Sequence, residues 1–213
     1  MLVFGHVGIT LGAAALLAKT LPISFSKITA NEAMEFSSSS SQAAPTLSNL
    51  QSHKASWFAS LGSLIDIRLL LIGSLLPDII DKPIGLLLLR ETLSNGRIFC
   101  HTLLLLILIT IAGLYLYRSR GRTHLFAVSF GILTHLIFDQ MWRAPRTLLW
   151  PVYGLTFDRM NVSDWMPNIL HASFTNPATY LPELVGAVIL VWFAITLMLQ
   201  RKALHFLKSG RVQ

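Results

Sequence analysis

The chain reads as an all-α, polytopic membrane protein, a helical bundle of about five transmembrane or re-entrant helices forming a single membrane domain over residues 1–213. Three observations predict this. Hydrophobic residues make up 53% of the chain and charged residues only 13%, against about 25% charged in an ordinary soluble domain, and the mean hydropathy is +0.60. Apolar runs long enough to cross or enter a bilayer recur along the sequence. The formal net charge of +7 comes largely from Lys and Arg between those runs, where they anchor and orient helices. That placement argues for contact with membrane lipids and against nucleic acid as a partner. Cys100 is the only cysteine, so neither an intrachain disulfide nor a four-cysteine zinc site is available.

Each element follows from its composition. Leu2 to Ala18 is a short apolar helix carrying His6 and closed by Lys19 and Pro22; it lacks the basic start of a cleavable signal and is read as retained. Residues 21–60 turn polar, with serines from Ser37 to Ser41 beside Pro45, a composition expected to stay disordered. Ser60 to Leu76 is a second run that either spans or re-enters, with Arg68 snorkelling to the interface and Asp66 as its partner. Pro77 is expected to end it. Ile84 to Arg90 is too short to cross and is placed along the interface, and Asn95-Gly96 makes a turn.

Ile98 to Tyr117 is the clearest span, with His101 one turn from its start and Tyr115 and Tyr117 at its far end. The basic tail Arg118-Ser-Arg120-Gly-Arg122 leaves room only for a tight hairpin. Leu125 to Trp142 returns, bearing His135 and Asp139 near its exit. Residues 143–183 hold five prolines and two tryptophans and are expected to form an ordered loop covering the proposed site face. Leu184 to Leu199 is the last span, closed by Arg201-Lys202.

The stretch from Gly131 to Gly154 organises the rest. His135 and Asp139 are four apart, so on a helix they project from one face and can grip a metal ion. Counting crossings brings further candidates to the same level: His6 near the start of the first helix, Asp78 and Asp81 at the end of the second, and His101 near the start of the third. His124 and His205 fall at the opposite face and His53 in the polar loop, so convergence singles out a subset of histidines; His171 lies in the covering loop. Ionisable groups at membrane depth are costly and usually functional, although polar residues also favour helix ends for ordinary reasons, and a core histidine satisfied by backbone is the plain alternative.

Three histidines with three carboxylates suit a divalent metal, zinc first, with manganese or iron open. Six candidates can hold two ions or leave some residues supporting one. A bound metal acidifies its water, so hydrolysis is the natural chemistry, with Asp78 or Asp81 as the catalytic base. Arg97, Arg143 and Arg146 on the same side can hold an anionic head group through forked hydrogen bonds, or simply anchor helix ends to lipid phosphates. Trp142 and Trp150 are read as interface anchors.

At these motifs the chain resembles the YdjM-type family of inner-membrane-associated metal-dependent hydrolases. The matching pieces are Gly5-His6, Leu75-Leu-Pro77-Asp78-Ile-Ile-Asp81-Lys82-Pro83, Phe99-Cys-His101-Thr-Leu-Leu, Gly131 through His135 to Asp139, and Leu148-Leu-Trp150-Pro151. The resemblance implies a polytopic helical protein with His6, Asp78, Asp81, His101, His135 and Asp139 as metal-site positions. Two departures stand out: Gly96 occupies a position where many members carry another histidine, and the polar insert after the first helix is long.

The expected function is therefore a membrane-embedded metal-dependent hydrolase acting on a lipid or other amphiphile, a phosphoester among the candidates; the alternative is a non-catalytic membrane protein, a transporter component or scaffold, with a structural metal or a buried polar network. For orientation, one face collects Lys19, Lys27, Lys54, Arg118, Arg120, Arg122, Arg201, Lys202, Lys208 and Arg211, and the other Lys82, Arg90, Arg97, Arg143, Arg146 and Arg159. The richer face should be cytoplasmic, which puts the site on the extracytoplasmic side.

Overall fold

A computed structural model describes residues 3–20, 65–159, 161 and 165–210. The polar stretch 21–60, with His53, Lys27 and Lys54, lies outside the described residues, as does Arg211. Among the described residues all regular structure is helical. The long helices are α1 (Val3–Thr20), α2 (Ile67–Pro83), α3 (Leu103–Arg120) and α4 (His124–Phe138). A π-helical turn, Ile84–Leu88, extends α2. After α4 come a 3-10 turn, Met141–Arg143, and the short α5 (Pro145–Leu148). Helices α6 (Trp165–Thr175), α7 (Pro177–Leu199) and α8 (Ala203–Ser209) complete the chain.

Helices α3 and α7 are each long and apolar enough to cross a bilayer, and α1 and α4 are shorter apolar helices. Their outward faces carry exposed apolar side chains, Ile107, Leu108 and Ile111 on α3 and Val188, Val191 and Ile195 on α7. In lipid such faces are solvated by acyl chains, so helix association rests on close packing and small residues instead of the hydrophobic effect. The glycines show this. A Cβ on Gly131 of α4 would lie 2.5–2.7 Å from backbone atoms of Leu70, Gly73 and Ser74 on α2. A Cβ on Gly8 of α1 would strike the Gly186 backbone of α7.

These contacts also fix direction. Ile67 and Leu70 share a core with Ala127, and Leu76 packs on Ile132 and Leu136, so α2 and α4 run parallel. Phe4 meets Glu183 and Gly12 meets Ile189, so α1 and α7 run parallel to each other. Gly113 lies against Leu125 while Leu105 packs near Leu136, so α3 opposes α4. The beginnings of α1, α3 and α7 and the ends of α2 and α4 therefore meet at one end of the bundle.

Several boundaries differ from the sequence reading. Pro77 does not end the second helix: α2 runs through it to Pro83. Proline forfeits the N–H bond to the preceding turn and crowds that turn's carbonyl, and a packed membrane helix tolerates both. His101 is not inside the third helix but in the turn before it, because Thr102 caps α3 by accepting from the Leu105 N–H at 3.2 Å. The last long helix, α7, begins at Pro177, not Leu184, with Asn176 as its cap and proline in its first turn. Residues 143–183 hold α5, α6 and the start of α7 along with irregular backbone.

At the far end Arg68 and Asp66 pair as expected, Nη2 to Oδ2 at 2.9 Å. Asp66 also caps α2 by accepting from the Arg68 N–H. Arg68 donates to the carbonyls of Leu207 and Lys208 at the end of α8, so one side chain neutralises a carboxylate and satisfies a helix C-terminus.

Candidate metal centre

All six side chains singled out as metal-site positions reach one end of the bundle, and they divide into two roles. His6, Asp81, His101 and His135 are completely buried, Asp139 nearly so. Asp78, His101, His135 and Asp139 each bring one donor atom to a spot where all four lie within 4.8 Å of one another.

The imidazole orientations carry the argument. His135 Nδ1 lies 2.7 Å from the Ser74 carbonyl oxygen, which can only accept, so Nδ1 holds the proton and Nε2 presents a bare lone pair. His101 Nδ1 lies 2.7 Å from Asp81 Oδ2, which likewise assigns the ring proton to Nδ1. The two Nε2 atoms then face each other at 3.1 Å. Two lone pairs at that distance repel unless a proton or a cation lies between them. Zinc bound by two imidazoles at ~2.0–2.1 Å in tetrahedral geometry would set the nitrogens about 3.3 Å apart, close to the observed spacing.

Asp78 adds a second indication. Its Oδ2 takes Lys82 Nζ at 2.6 Å, but its Oδ1 is buried without a hydrogen-bond partner and points between the rings, 3.5 Å from His101 Nε2 and 3.9 Å from His135 Nε2. An unpartnered buried carboxylate oxygen is expensive and is what a metal ligand looks like without its ion. Asp139 Oδ2 lies 3.8 Å from His101 Nε2. The donor set of two imidazoles and two carboxylates fits a divalent transition metal.

Asp81 and His6 lie outside these four. Both Asp81 oxygens are turned away, accepting from the N–H groups of Ile98 at 2.8 Å, Cys100 at 2.9 and 3.0 Å and His101 at 3.1 Å, besides the His101 ring. It ties the 98–101 turn to α2 and fixes the His101 tautomer, the supporting role commonly taken by a carboxylate behind a metal-binding histidine. His6 stacks on His135 with centroids 4.1 Å apart and sets Nε2 3.1 Å from Asp139 Oδ1. The other Asp139 oxygen meets Arg97 Nη2 at 2.8 Å.

The sequence reading missed three supporting residues. Ser74 acts through its carbonyl, which no side-chain pattern reveals. Lys82 was signalled by its i+4 spacing from Asp78. Asn95 holds the adjoining turn, donating to the Asp158 carbonyl at 2.7 Å and accepting from the Arg97 N–H at 2.9 Å. Of the arginines, Arg97 and Arg143 border a cleft of about 630 Å³ that Asp139 also lines. Arg146 instead forms an exposed pair with Asp158 at 3.3 Å. His171 hydrogen-bonds Thr175 within α6, and His124 starts α4 at the opposite end.

The fold and this centre define a polytopic helical membrane protein with a buried His/Asp group able to bind a metal ion. The chain belongs to the YdjM inner membrane protein family, whose profile it matches over residues 1–204. Neither the curated proteins nor the solved structures yield a match.

Proposed function

We propose that this protein is a metal-dependent hydrolase of the inner membrane acting on a lipid or other amphiphile, a phosphoester being the favoured bond. The observation that carries the proposal is the pair of fixed, facing Nε2 lone pairs beside the unpartnered Asp78 oxygen; Asp139, the fourth residue of the group, also lines a cleft. His101, His135 and Asp78 would hold a divalent ion, zinc first by its donor set, with Asp139 as fourth donor or as the proton acceptor. Such an ion supplies Lewis acidity and acidifies water.

The chain's own residues divide the remaining work. Asp81 and the Ser74 carbonyl fix both imidazoles so that each presents Nε2. With both Asp81 oxygens committed to the 98–101 turn, the general-base assignment passes from the Asp78/Asp81 pair to Asp139, the carboxylate that also lines the cleft. Arg97 takes one of its oxygens, which leaves Oδ1, 3.1 Å from His6 Nε2, as the proton acceptor. The eight described Lys and Arg residues at the far end, Lys19, Arg68, Arg118, Arg120, Arg122, Arg201, Lys202 and Lys208, favour that end as cytoplasmic and the cleft as extracytoplasmic.

Metal analysis of detergent-purified wild type, His101→Ala and His135→Ala tests the centre. About one zinc per chain in wild type and its loss in both variants is expected. Equal metal content in all three would end the proposal. Phosphoester hydrolysis lost in Asp139→Asn with metal retained would separate an enzyme from a structural metal site, whereas a metal-loaded wild type without turnover on any phosphoester amphiphile would favour a scaffold.

A further inference from the structure

Beside the metal centre, the cleft has a divided wall. Arg97, Arg143 and Asp139 line one part; Ile137, Phe138 and Trp142 contribute apolar surface. The two arginines are not equivalent. Arg97 is engaged with Asp139, whereas Arg143 has no carboxylate partner among the described residues.

Backbone geometry puts Arg143 there. Helix α4 stops at Phe138, Gln140 adopts a left-handed conformation with φ 53°, and the 3-10 turn Met141–Arg143 follows. Met141 is buried as the anchor of that turn while Trp142 stays 57% exposed. The N-terminal turn of α7 closes the opposite side through Ala178 and Pro182, and the positive end of that helix adds to the arginine field.

We infer that this cleft is the substrate subsite for a phosphate-bearing amphiphile: Arg143 receives the phosphate through charge-assisted forked hydrogen bonds, and the apolar wall takes the first part of the tail. This rests on the hydrolase reading for its place in a reaction, but not for binding. An uncharged amphiphile would leave Arg143 without a counter-charge, and free phosphate would leave Ile137, Phe138 and Trp142 uncovered. The cleft's size suits a head group with a short length of chain, and the remaining tail would pass out into lipid.

Binding to zinc-supplemented protein in detergent can be followed by calorimetry with three probes: dihexanoyl phosphatidate, dihexanoyl glycerol and inorganic phosphate. Phosphatidate should bind at least about tenfold more tightly than either other probe. Arg143→Gln should weaken phosphatidate binding by about tenfold or more while Arg143→Lys recovers part of it, the scale of one charged hydrogen-bonding group. Ala178→Trp, which fills the cleft from an exposed position, should weaken it independently. Equal phosphatidate affinity in wild type, Arg143→Gln and Ala178→Trp would overturn the inference. So would phosphate binding as tightly as phosphatidate, which would make this a free-phosphate site, or glycerolipid binding as tightly, which would remove the arginine's role. Arginine-dependent binding in a protein that holds no metal would retain the subsite and discard the hydrolase; metal and turnover with binding indifferent to Arg143 would do the reverse.

Discussion

Replacing Asp81 with Asn separates a residue that holds the site from one that binds metal. In the folded protein the Asp81 carboxylate is fully buried and accepts from four donors, the N–H groups of Ile98, Cys100 and His101 and the His101 Nδ1–H. The amide oxygen of Asn can occupy the Oδ2 position and keep Ile98 and His101 satisfied. Its NH2 group must then sit where Oδ1 now accepts from Cys100 at 3.0 Å, donor against donor. Hydrogen bonds to a charged acceptor contribute ~1.5–3 kcal/mol and neutral ones about 1. Losing the charge across four bonds, with one turned repulsive, should cost about 3–4 kcal/mol of stability.

The same change loosens the His101 ring, and loss of a supporting carboxylate behind a metal-binding histidine typically lowers metal affinity by about 10–100-fold. Zinc affinity can be read by competition with a chromogenic chelator, alongside thermal unfolding of the zinc-free protein in detergent. Asp78→Asn is the contrast, because its Oδ1 has no partner to lose: zinc binding should fall further and zinc-free stability much less. Wild-type zinc affinity in Asp81→Asn would refute the division of roles between the two carboxylates.

Other consequences follow from the packing and the helix ends. Gly131→Ala forces a Cβ into the α2 backbone, so the helices must part; about 1–3 kcal/mol of stability should be lost, measurable by denaturation in mixed micelles. Gln140→Gly should stabilise the protein by about 0.5–1 kcal/mol, because the residue sits at φ 53°, where glycine is unstrained; no change or a loss in unfolding temperature would count against that account. Burial raises the Asp66 carboxyl, but the hydrogen bonds and charge of Arg68 outweigh it and hold the group below 3.8. A depressed folded value means that Asp66 stabilises the docking of α8 at neutral pH and that this is lost as pH falls below about 4. A fluorophore at position 204 should report release of α8 there, and Asp66→Asn should abolish the pH dependence.

How much of this was legible in the sequence varied with the kind of question. Apolar runs and their polar punctuation located the long helices because hydrophobicity and helix length are local properties, and alternation of direction then set the level of each histidine. That reading gathers His6, Asp78, Asp81, His101, His135 and Asp139 at one level, and in the structure their side chains lie at one end of the bundle. It failed at the boundaries. Pro77 is a helix breaker by local rules, yet packing against α4 carries α2 through it. His101 lies in an apolar stretch that looks helical, yet Thr102 begins the helix one residue later.

The sequence by itself determined a helical membrane bundle, because apolar character over a helix's length is a local property of composition. Only the tertiary structure decided what each polar residue does there. Asp78 and Asp81 are three residues apart on one helix and chemically identical; one faces two imidazoles and the other a ring of backbone N–H groups. That difference comes from the turn at 98–101, which packs against α2 from elsewhere in the chain, and no local pattern encodes which carboxylate it will meet.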